Sequence, residues 1–398
     1  MCGAANNTQA LPRCIFIPRD TSAAAFGIRT LVATSTEFAI RSGGHSTNPG
    51  FSSTSSGVLV SLAAIDTINI DLAAGTVTLG SGNIWRTVYS KLATHNVTVA
   101  GGRASTVGVG GFSLGGGLSF HLYEHGFAVD NIVAYEVVTA AGKIITVDGE
   151  NHPDMFVALK GSGAPFALVT TFTYKLLPAT PIWGGLIYGS PDSLPAVVKG
   201  VAEFMATGIE DPKTHLIAGM AIWSVDGGDG KLVPAKMSVG IYYYRDPIAG
   251  PPPQFREMIE AQRKGAFHDT VSSPRDVAGL TAEMAPVQVT RQMQWSWMLT
   301  DPTEEVLKRQ MKICEEVYTT AVETIPGFAA AAQFIPVGEQ GKGDNVLGLR
   351  SGVKYLQLQN WIVWSDAIDD EAVMEIGVRV HRLSSEYLRR MGHFDEFV

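Results

Sequence analysis

Two short segments hold the residues best suited to chemistry. The first is Arg41-Ser42-Gly43-Gly44-His45-Ser46, which follows the apolar run Glu37 to Ile40. Consecutive small residues let backbone N–H groups point into one concavity, a nest geometry that holds a pyrophosphate. A histidine directly after the glycines stands beside whatever is held there. A tight turn with an exposed histidine is the plainer reading of the same six residues. The second segment is Gly101 to Gly117, with eight glycines in seventeen residues. Glycine at that density allows the backbone to approach a large ligand closely and tolerates positive φ. The Gly-Lys-Ser/Thr of a nucleotide-hydrolase phosphate loop is missing, and so is the GxGxxG spacing after a first strand that a Rossmann domain needs. A flexible linker is the alternative here, and the apolar insertions at Val107, Val109, Phe112, Leu114 and Leu118 argue against it.

The elements around these segments can be read from periodicity. Cys14 to Pro18 reads as a strand, Thr21 to Ala33 as a helix and Glu37 to Ile40 as a second strand, closing a parallel βαβ unit. The Arg41–Ser46 loop then sits at the carboxyl end of a strand, where α/β sheets favour ligands. Gly57 to Leu62 and Gly75 to Leu79 alternate like strands, and Asn83 is placed to cap a helix carrying Ile84, Val88 and Leu92. Ile132 to Thr139 and Lys143 to Val147 read as a hairpin across Ala141-Gly142, and Ala167 to Leu177 as a β-branched strand. Pro178 and Pro181 bracket a domain boundary, giving domains 1–178 and 179–398. In the second, Leu216 to Val225 and Lys236 to Tyr244 are strands joined by the turn-rich Asp226–Gly230. Lys354 to Trp364 is a strand between helices at Glu304 to Thr324 and Asp369 to Met391. Hairpins with helices predict an α+β chain, its second half an antiparallel sheet covered by helices on one face.

Composition narrows the function classes. The chain has 398 residues, 43 of them glycine, with 45% apolar and 17% charged residues. It can bury a large core, which excludes a disordered chain. No apolar run approaches the roughly 18 residues of a membrane span, so no membrane partner is expected. A net charge of −8 without a basic cluster argues against nucleic acid. Cys2, Cys14 and Cys314 form no disulfide framework, although Cys2 and Cys14 are able to pair. His121 and His125 have the i,i+4 spacing of a metal pair without a third ligand, so no metal is expected. Sequons stand at Asn6-Asn7-Thr8 and Asn96-Val97-Thr98, and Met1 to Arg13 does not read as a signal peptide. Compartment and oligomeric state stay open.

Taken in order, Arg41-Ser-Gly-Gly-His45, Asn48-Pro-Gly-Phe51, Val107-Gly-Val-Gly-Gly111, Gly115-Gly-Gly117, Asp130-Asn131, Asp154-Met-Phe156 and Ala158-Leu-Lys-Gly161 resemble the flavoenzymes of the vanillyl-alcohol oxidase and p-cresol methylhydroxylase (PCMH) type. More narrowly, the chain resembles the berberine bridge enzyme-like oxidoreductases, as a fungal member. Asn345-Val-Leu-Gly-Leu349 and Trp364-Ser-Asp extend the match into the second half. The resemblance implies a two-subdomain PCMH-type FAD-binding domain followed by a substrate domain. It implies covalent FAD attachment through His45, with Arg41, Ser42, Gly43, Gly44 and Ser46 at the pyrophosphate. Gly102, Thr106, Val107, Gly108, Gly110, Gly111, Gly116 and Gly117 are implied to border the rest of the cofactor. Val107 matches the small position where dioxygen approaches the flavin, and a secreted location is implied as well.

The chain departs from the family pattern at four places. Ala104 falls where bicovalent members carry a cysteine, so only the histidyl link is expected. Phe112 replaces a histidine common in plant members, and Ser162-Gly163-Ala164-Pro165 replaces a glycine-asparagine run. The chain stops at Phe397-Val398, where relatives continue through a tyrosine- and asparagine-containing segment that returns to the flavin.

For the substrate, Gln333 matches a family strand that faces the flavin and is able to orient a hydroxyl. Tyr242, Tyr243 and Tyr244 alternate across a strand, so either Tyr243 or the pair Tyr242 and Tyr244 faces the flavin, and the pair is taken as the candidate base. Plain packing, with the hydroxyls at the edge, is the other reading. Trp295, Trp297, Trp361 and Trp364 offer an aromatic wall or plain core. The expected function is oxidation of a sugar or secondary-metabolite alcohol, with hydride passing to flavin N5 and dioxygen as acceptor. Two alternatives stand beside it: a flavoprotein catalysing a non-redox cyclisation, and a family member without cofactor.

Overall fold

The computed structural model describes residues 9–228, 230–284, 290–339 and 343–395. Cys2, the Asn6 sequon and Phe397-Val398 lie outside these residues. The chain divides into two compact units. One comprises Met1–Thr180, Asp276–Val289 and Lys342–Gly348; the other comprises Pro181–Arg275, Thr290–Gly341 and Leu349–Val398. After Pro181 the chain thus returns twice to the first unit.

The first unit opens with β1 (Cys14–Phe16), a helix at Thr21–Ala33, β2 (Phe38–Arg41) and β3 (Val58–Ser61). The helix starts where Asp20 accepts a hydrogen bond from Ala23 N at 2.8 Å. The strands form a parallel sheet in the order β1-β3-β2, so the expected βαβ pair is parallel, with a third strand between its members. Ala24, Ala25, Ile28 and Leu31 of the helix share a core with Val60, Leu62, Ile65, Val138 and Leu168. Close packing at Gly27, where a Cβ would lie 2.2 Å from the Phe16 ring, lets the helix settle on β1.

A second sheet combines β4 (Ile68–Asp71), β5 (Thr76–Gly80), β7 (Ile132–Val138), β8 (Ile144–Asp148) and β9 (Leu168–Lys175) in the antiparallel order β4-β5-β9-β7-β8. Short β6 (Val97–Thr98) and β10 (Leu177–Pro178) pair separately. The hairpin at Ala141-Gly142 forms as expected, with Gly142 N donating to Thr139 O. The helix after β5 spans Trp85–Ala93, and Asn83 does not cap it. Ile84 stands at the cap position, and the Asn83 amide donates instead to Thr67 O and Gly80 O.

The second unit is an antiparallel sheet. Its strands are β11 (Ile182–Gly189), β12 (Thr214–Asp226), β13 (Leu232–Tyr244), β14 (His268–Asp269), β15 (Ser272–Arg275), β16 (Arg291–Thr300), β17 (Ala329–Glu339) and β18 (Lys354–Trp364). The main order is β14-β11-β13-β12-β17-β18-β16, with β15 also on β11. Helices at Leu194–Ala206, Arg256–Arg263, Glu304–Thr324 and Asp370–Met391 pack against the sheet. The Glu304–Thr324 helix starts at a Thr303 cap and buries Leu307, Met311, Cys314 and Tyr318 at helical spacing. The sequence anticipated Glu304–Thr324 and Lys354–Trp364 to the residue. β16 is not among the strands expected from the sequence, although Met293, Trp295, Trp297 and Leu299 alternate with Gln292, Gln294 and Ser296 along it.

Candidate cofactor site and family

The first unit brings the two glycine-bearing segments together. β2 delivers Arg41 to Ser46 at its carboxyl end, while the stretch after Gly101 runs past Val107 into a one-and-a-half-turn helix at Val109–Leu114. Gly43 lies directly against Gly108. A Cβ on Gly43 would stand 2.6 Å from Gly108 Cα, and one on Gly108 would stand 2.4 Å from Gly43 N. Both positions therefore require glycine on packing grounds alone. Ser42 Oγ fastens the contact, donating to Ser81 O at 2.5 Å and accepting from Gly110 N at 3.1 Å. Gly44 adopts φ +71°, which turns the chain so that His45 follows the contact.

His45 Nε2 lies 3.4 Å from Thr106 Oγ1, so the histidine joins the first segment to the second. Burial removes water from the imidazole and holds its pKa below 6.5, which favours the neutral ring. Ser46 Oγ turns back to accept from Asn48 N at 3.3 Å. Arg41 is half-buried, and loss of water lowers its pKa too. Val107 accepts at its carbonyl from Trp85 N, at 3.0 Å. Gly102 packs on the Trp85 indole and accepts from Tyr89 Oη, while Gly116 packs on Leu347 and Gly117 on Phe112. Phe112 thus fills protein interior, against Trp85 at 5.1 Å between rings. Gly111 differs from these glycines: it is exposed, and a Cβ there would meet nothing within 4 Å. No protein neighbour explains its glycine.

Three features of this unit escaped the sequence. Ser81 is fully buried, its carbonyl held by Ser42 and its hydroxyl donating to Val169 O at 2.6 Å. Arg103 sits beside Tyr123; burial lowers its guanidinium to about 10, while the Tyr123 hydroxyl is pushed up by the same loss of water. A single arginine in an otherwise uncharged run was the available signal. Asn345 donates to Asp130 Oδ1 at 2.9 Å and Val346 N to Lys160 O, which ties the returning segment to two stretches far from it in sequence.

In the second unit, Tyr242 is corrected as a base candidate. It is fully buried against Phe255, 5.4 Å between rings, and donates to Gln262 Oε1 at 2.5 Å. Burial raises its pKa, which opposes the anionic form a base needs. Tyr244 shares that helix-facing side and is half-buried, its pKa raised by desolvation first and the nearby Asp211 next. Tyr243 takes the other face, as strand alternation requires. The aromatic wall is likewise divided. Trp295 and Trp297 pack on His381, at 6.0 and 5.4 Å, and Trp364 Nε1 donates to Asp370 at 2.7 Å, all on the helix side. Trp361 alone of the four lies opposite, donating to Gln292 Oε1 at 2.8 Å. Gln333 also lies opposite, in register with Gly219 and Gln359. His121 and His125 lie side by side, rings 6.0 Å apart, and among the described residues no group of three or more His, Cys, Asp or Glu is placed to hold a metal.

Residues 12–148 match the family model of an FAD binding domain. An FAD-dependent monooxygenase of Cochliobolus heterostrophus is 30% identical over 395 residues, which is 92% of this chain and 72% of the relative. The chain belongs to the FAD-linked oxidoreductases. Another oxidoreductase of the group, an FAD-dependent monooxygenase of Fusarium proliferatum, is 40% identical over 211 residues, 52% of this chain and 41% of its own length. The fold is that of the BBE-like 1 protein of Physcomitrella patens, at TM-score 0.76 and 15% identity, covering 100% of this chain and 86% of that one. The matched region thus contains both segments of the cofactor site. The closely opposed backbones, the neutral histidine and the open side of Gly111 fit a flat, anionic cofactor such as FAD.

Proposed function

We propose that this oxidoreductase is an FAD-dependent oxidase of a neutral alcohol, a sugar or a secondary metabolite, with dioxygen as acceptor and His45 as the sole covalent anchor of the cofactor. One observation carries the reading: His45 stands 3.4 Å from Thr106 where two glycine-bearing segments meet backbone to backbone. Bound there, FAD supplies two-electron oxidation. Ser42, Gly43, Gly44 and Ser46 offer donors to the pyrophosphate, and Arg41 adds a fixed charge. A desolvated, neutral His45 keeps a ring lone pair, the form that attachment requires. Ala104 offers only a methyl group where a second, cysteinyl bond would need sulfur. Val107 matches the family's small position by the flavin and is compatible with dioxygen as co-substrate, in keeping with the monooxygenase names of the relatives. Gln333 orients a substrate hydroxyl through its amide, and Tyr243 is the tyrosine that shares its face of the sheet, Tyr244 lying on the other.

Acid precipitation of the purified protein tests the anchor. A yellow pellet is expected from the parent, and from His45→Ala a colourless pellet with the flavin, if any, in the supernatant. A colourless parent pellet with no flavin in solution would sink the reading. A non-redox ring closure is favoured by one observation: among the described residues of β16, β17 and β18, the face carrying Gln333 presents no carboxylate or histidine between Gln292 and Met298, Ala329 and Ile335, or Gln357 and Val363. Anaerobic mixing with a panel of alcohols decides between the two, since bleaching of the flavin absorbance by any of them establishes oxidation.

A further inference from the structure

β16, β17 and β18 show the helices one face and turn another away. Asn360 accepts from Tyr318 of the Glu304–Thr324 helix, Trp297 packs on His381 of the Asp370–Met391 helix, and Trp364 donates to Asp370. Alternation fixes the opposite face. On it Gly219, Gln333, Gln359 and Ser296 form one cross-strand row, and Ala331, Trp361 and Gln294 form the next. Ile335, Gln357 and Met298 flank the first row on its other side. Gln333, Gln357, Gln359 and Trp361 are half-buried, while Gln294 and Ser296 are exposed. The side-chain amides of Gln333, Gln357 and Gln359 enter none of the hydrogen bonds found among the described residues. No Asp, Glu, Lys, Arg or His interrupts these rows.

These half-buried amides, engaged by no described protein group, stay open to a ligand that can hydrogen-bond them. Each amide offers both a donor and an acceptor, so together they match a ligand rich in hydroxyl and carbonyl groups. They contribute no charge to balance an ionic ligand, whose desolvation would go uncompensated. We infer that Gln333, Gln357 and Gln359, with Trp361 beside them, form the recognition platform for a neutral, polyoxygenated small molecule, and that they exclude carboxylate and ammonium analogues. The inference rests on the oxidoreductase reading above for the need of a small-molecule substrate, and it assigns Gln357 and Gln359 as specificity residues.

The test uses the full-length protein and ligand-observed NMR titrations. Cellobiose and resorcinol serve as neutral probes, with lactobionate and glucosamine as their charged counterparts. At least one neutral probe should bind tenfold or more tightly than both charged ones; cellobiose preference points to saccharides, and resorcinol preference to phenolic metabolites. Gln333→Leu and Gln359→Leu should each weaken the neutral probe about five- to tenfold, the worth of one neutral hydrogen bond. Gln359→Asn, which keeps an amide, should recover part of the loss. Flavin content of the acid pellet and the thermal midpoint should stay at parental values in all three variants. Binding of neither neutral probe, equal binding of charged probes, or parental affinity in the Leu variants overturns the platform. Colourless protein instead overturns the flavin reading, so the two failures are separable.

Discussion

Ser42 does more for the cofactor site than its size suggests. Its hydroxyl donates to one segment and accepts from another, at Ser81 O and Gly110 N. Removing it leaves two buried backbone groups without a partner, which costs on the order of 1–3 kcal/mol. Ser42→Ala should therefore lower the urea midpoint of the protein while leaving residual flavin binding, measured by pellet absorbance and denaturation together. Gly43→Ala is expected to be far more severe. The added methyl group would sit 2.6 Å from Gly108 backbone atoms, which no side-chain rotation relieves. The expected outcome is loss of flavin incorporation even where soluble protein is recovered; a yellow, stable Gly43→Ala protein would contradict the contact.

Elements are fixed by how their buried polar groups are matched. Between β18 and the Glu304–Thr324 helix, Asn360 Oδ1 accepts from Tyr318 Oη at 2.6 Å and from Cys314 Sγ at 3.5 Å, all three side chains buried. Asn360→Leu would strand the Tyr318 hydroxyl in the interior, at a cost of about 1–3 kcal/mol. The double variant with Tyr318→Phe should recover part of that loss in denaturant melts, since both ends of the pair are then apolar. Much of this element pattern was legible in the sequence. Amphipathic spacing set the long helices, and a run of β-branched residues set β9. The sites on them were less legible, because a strand's period of two identifies two faces without saying which one meets the helices. Tyr242 and Tyr243 illustrate the ambiguity: adjacent, both buried, and turned to opposite sides.

At the scale of the whole molecule, both units carry a histidine held neutral by loss of water, His45 in the first and His381 in the second. Their folded pKa values lie below the ordinary 6.5, so the unfolded chain binds protons more readily than the folded one. Their contribution to stability is complete above pH 6.5 and is lost as the pH falls through the folded values. The midpoint for urea unfolding should thus drop between pH 7.5 and 5.5, before the carboxylates titrate. Substituting both histidines with asparagine should flatten that slope, and an unchanged slope would show that neither imidazole is desolvated. At lower pH, the hydrogen-bonded Asp148 and the Lys213-bonded Asp246, both depressed, add a further loss.

The sequence by itself pointed to the cofactor class through a family resemblance, carried by motifs that follow one another in order from Arg41-Ser-Gly-Gly-His45 to Ala158-Leu-Lys-Gly161. It also determined most helices and strands, because local periodicity needs no long-range contact. Only the tertiary structure decided that Gly43 and Gly108 touch and that Ser42 bridges to Ser81. It also decided that segments after Asp276 and before Leu349 return to the first unit. Those facts depend on approach between residues tens to hundreds of positions apart, and chain order carries no record of such distances. The same holds for the amide platform. Gln333 lies more than twenty residues before Gln357 and Gln359, and antiparallel register alone sets the three on one face.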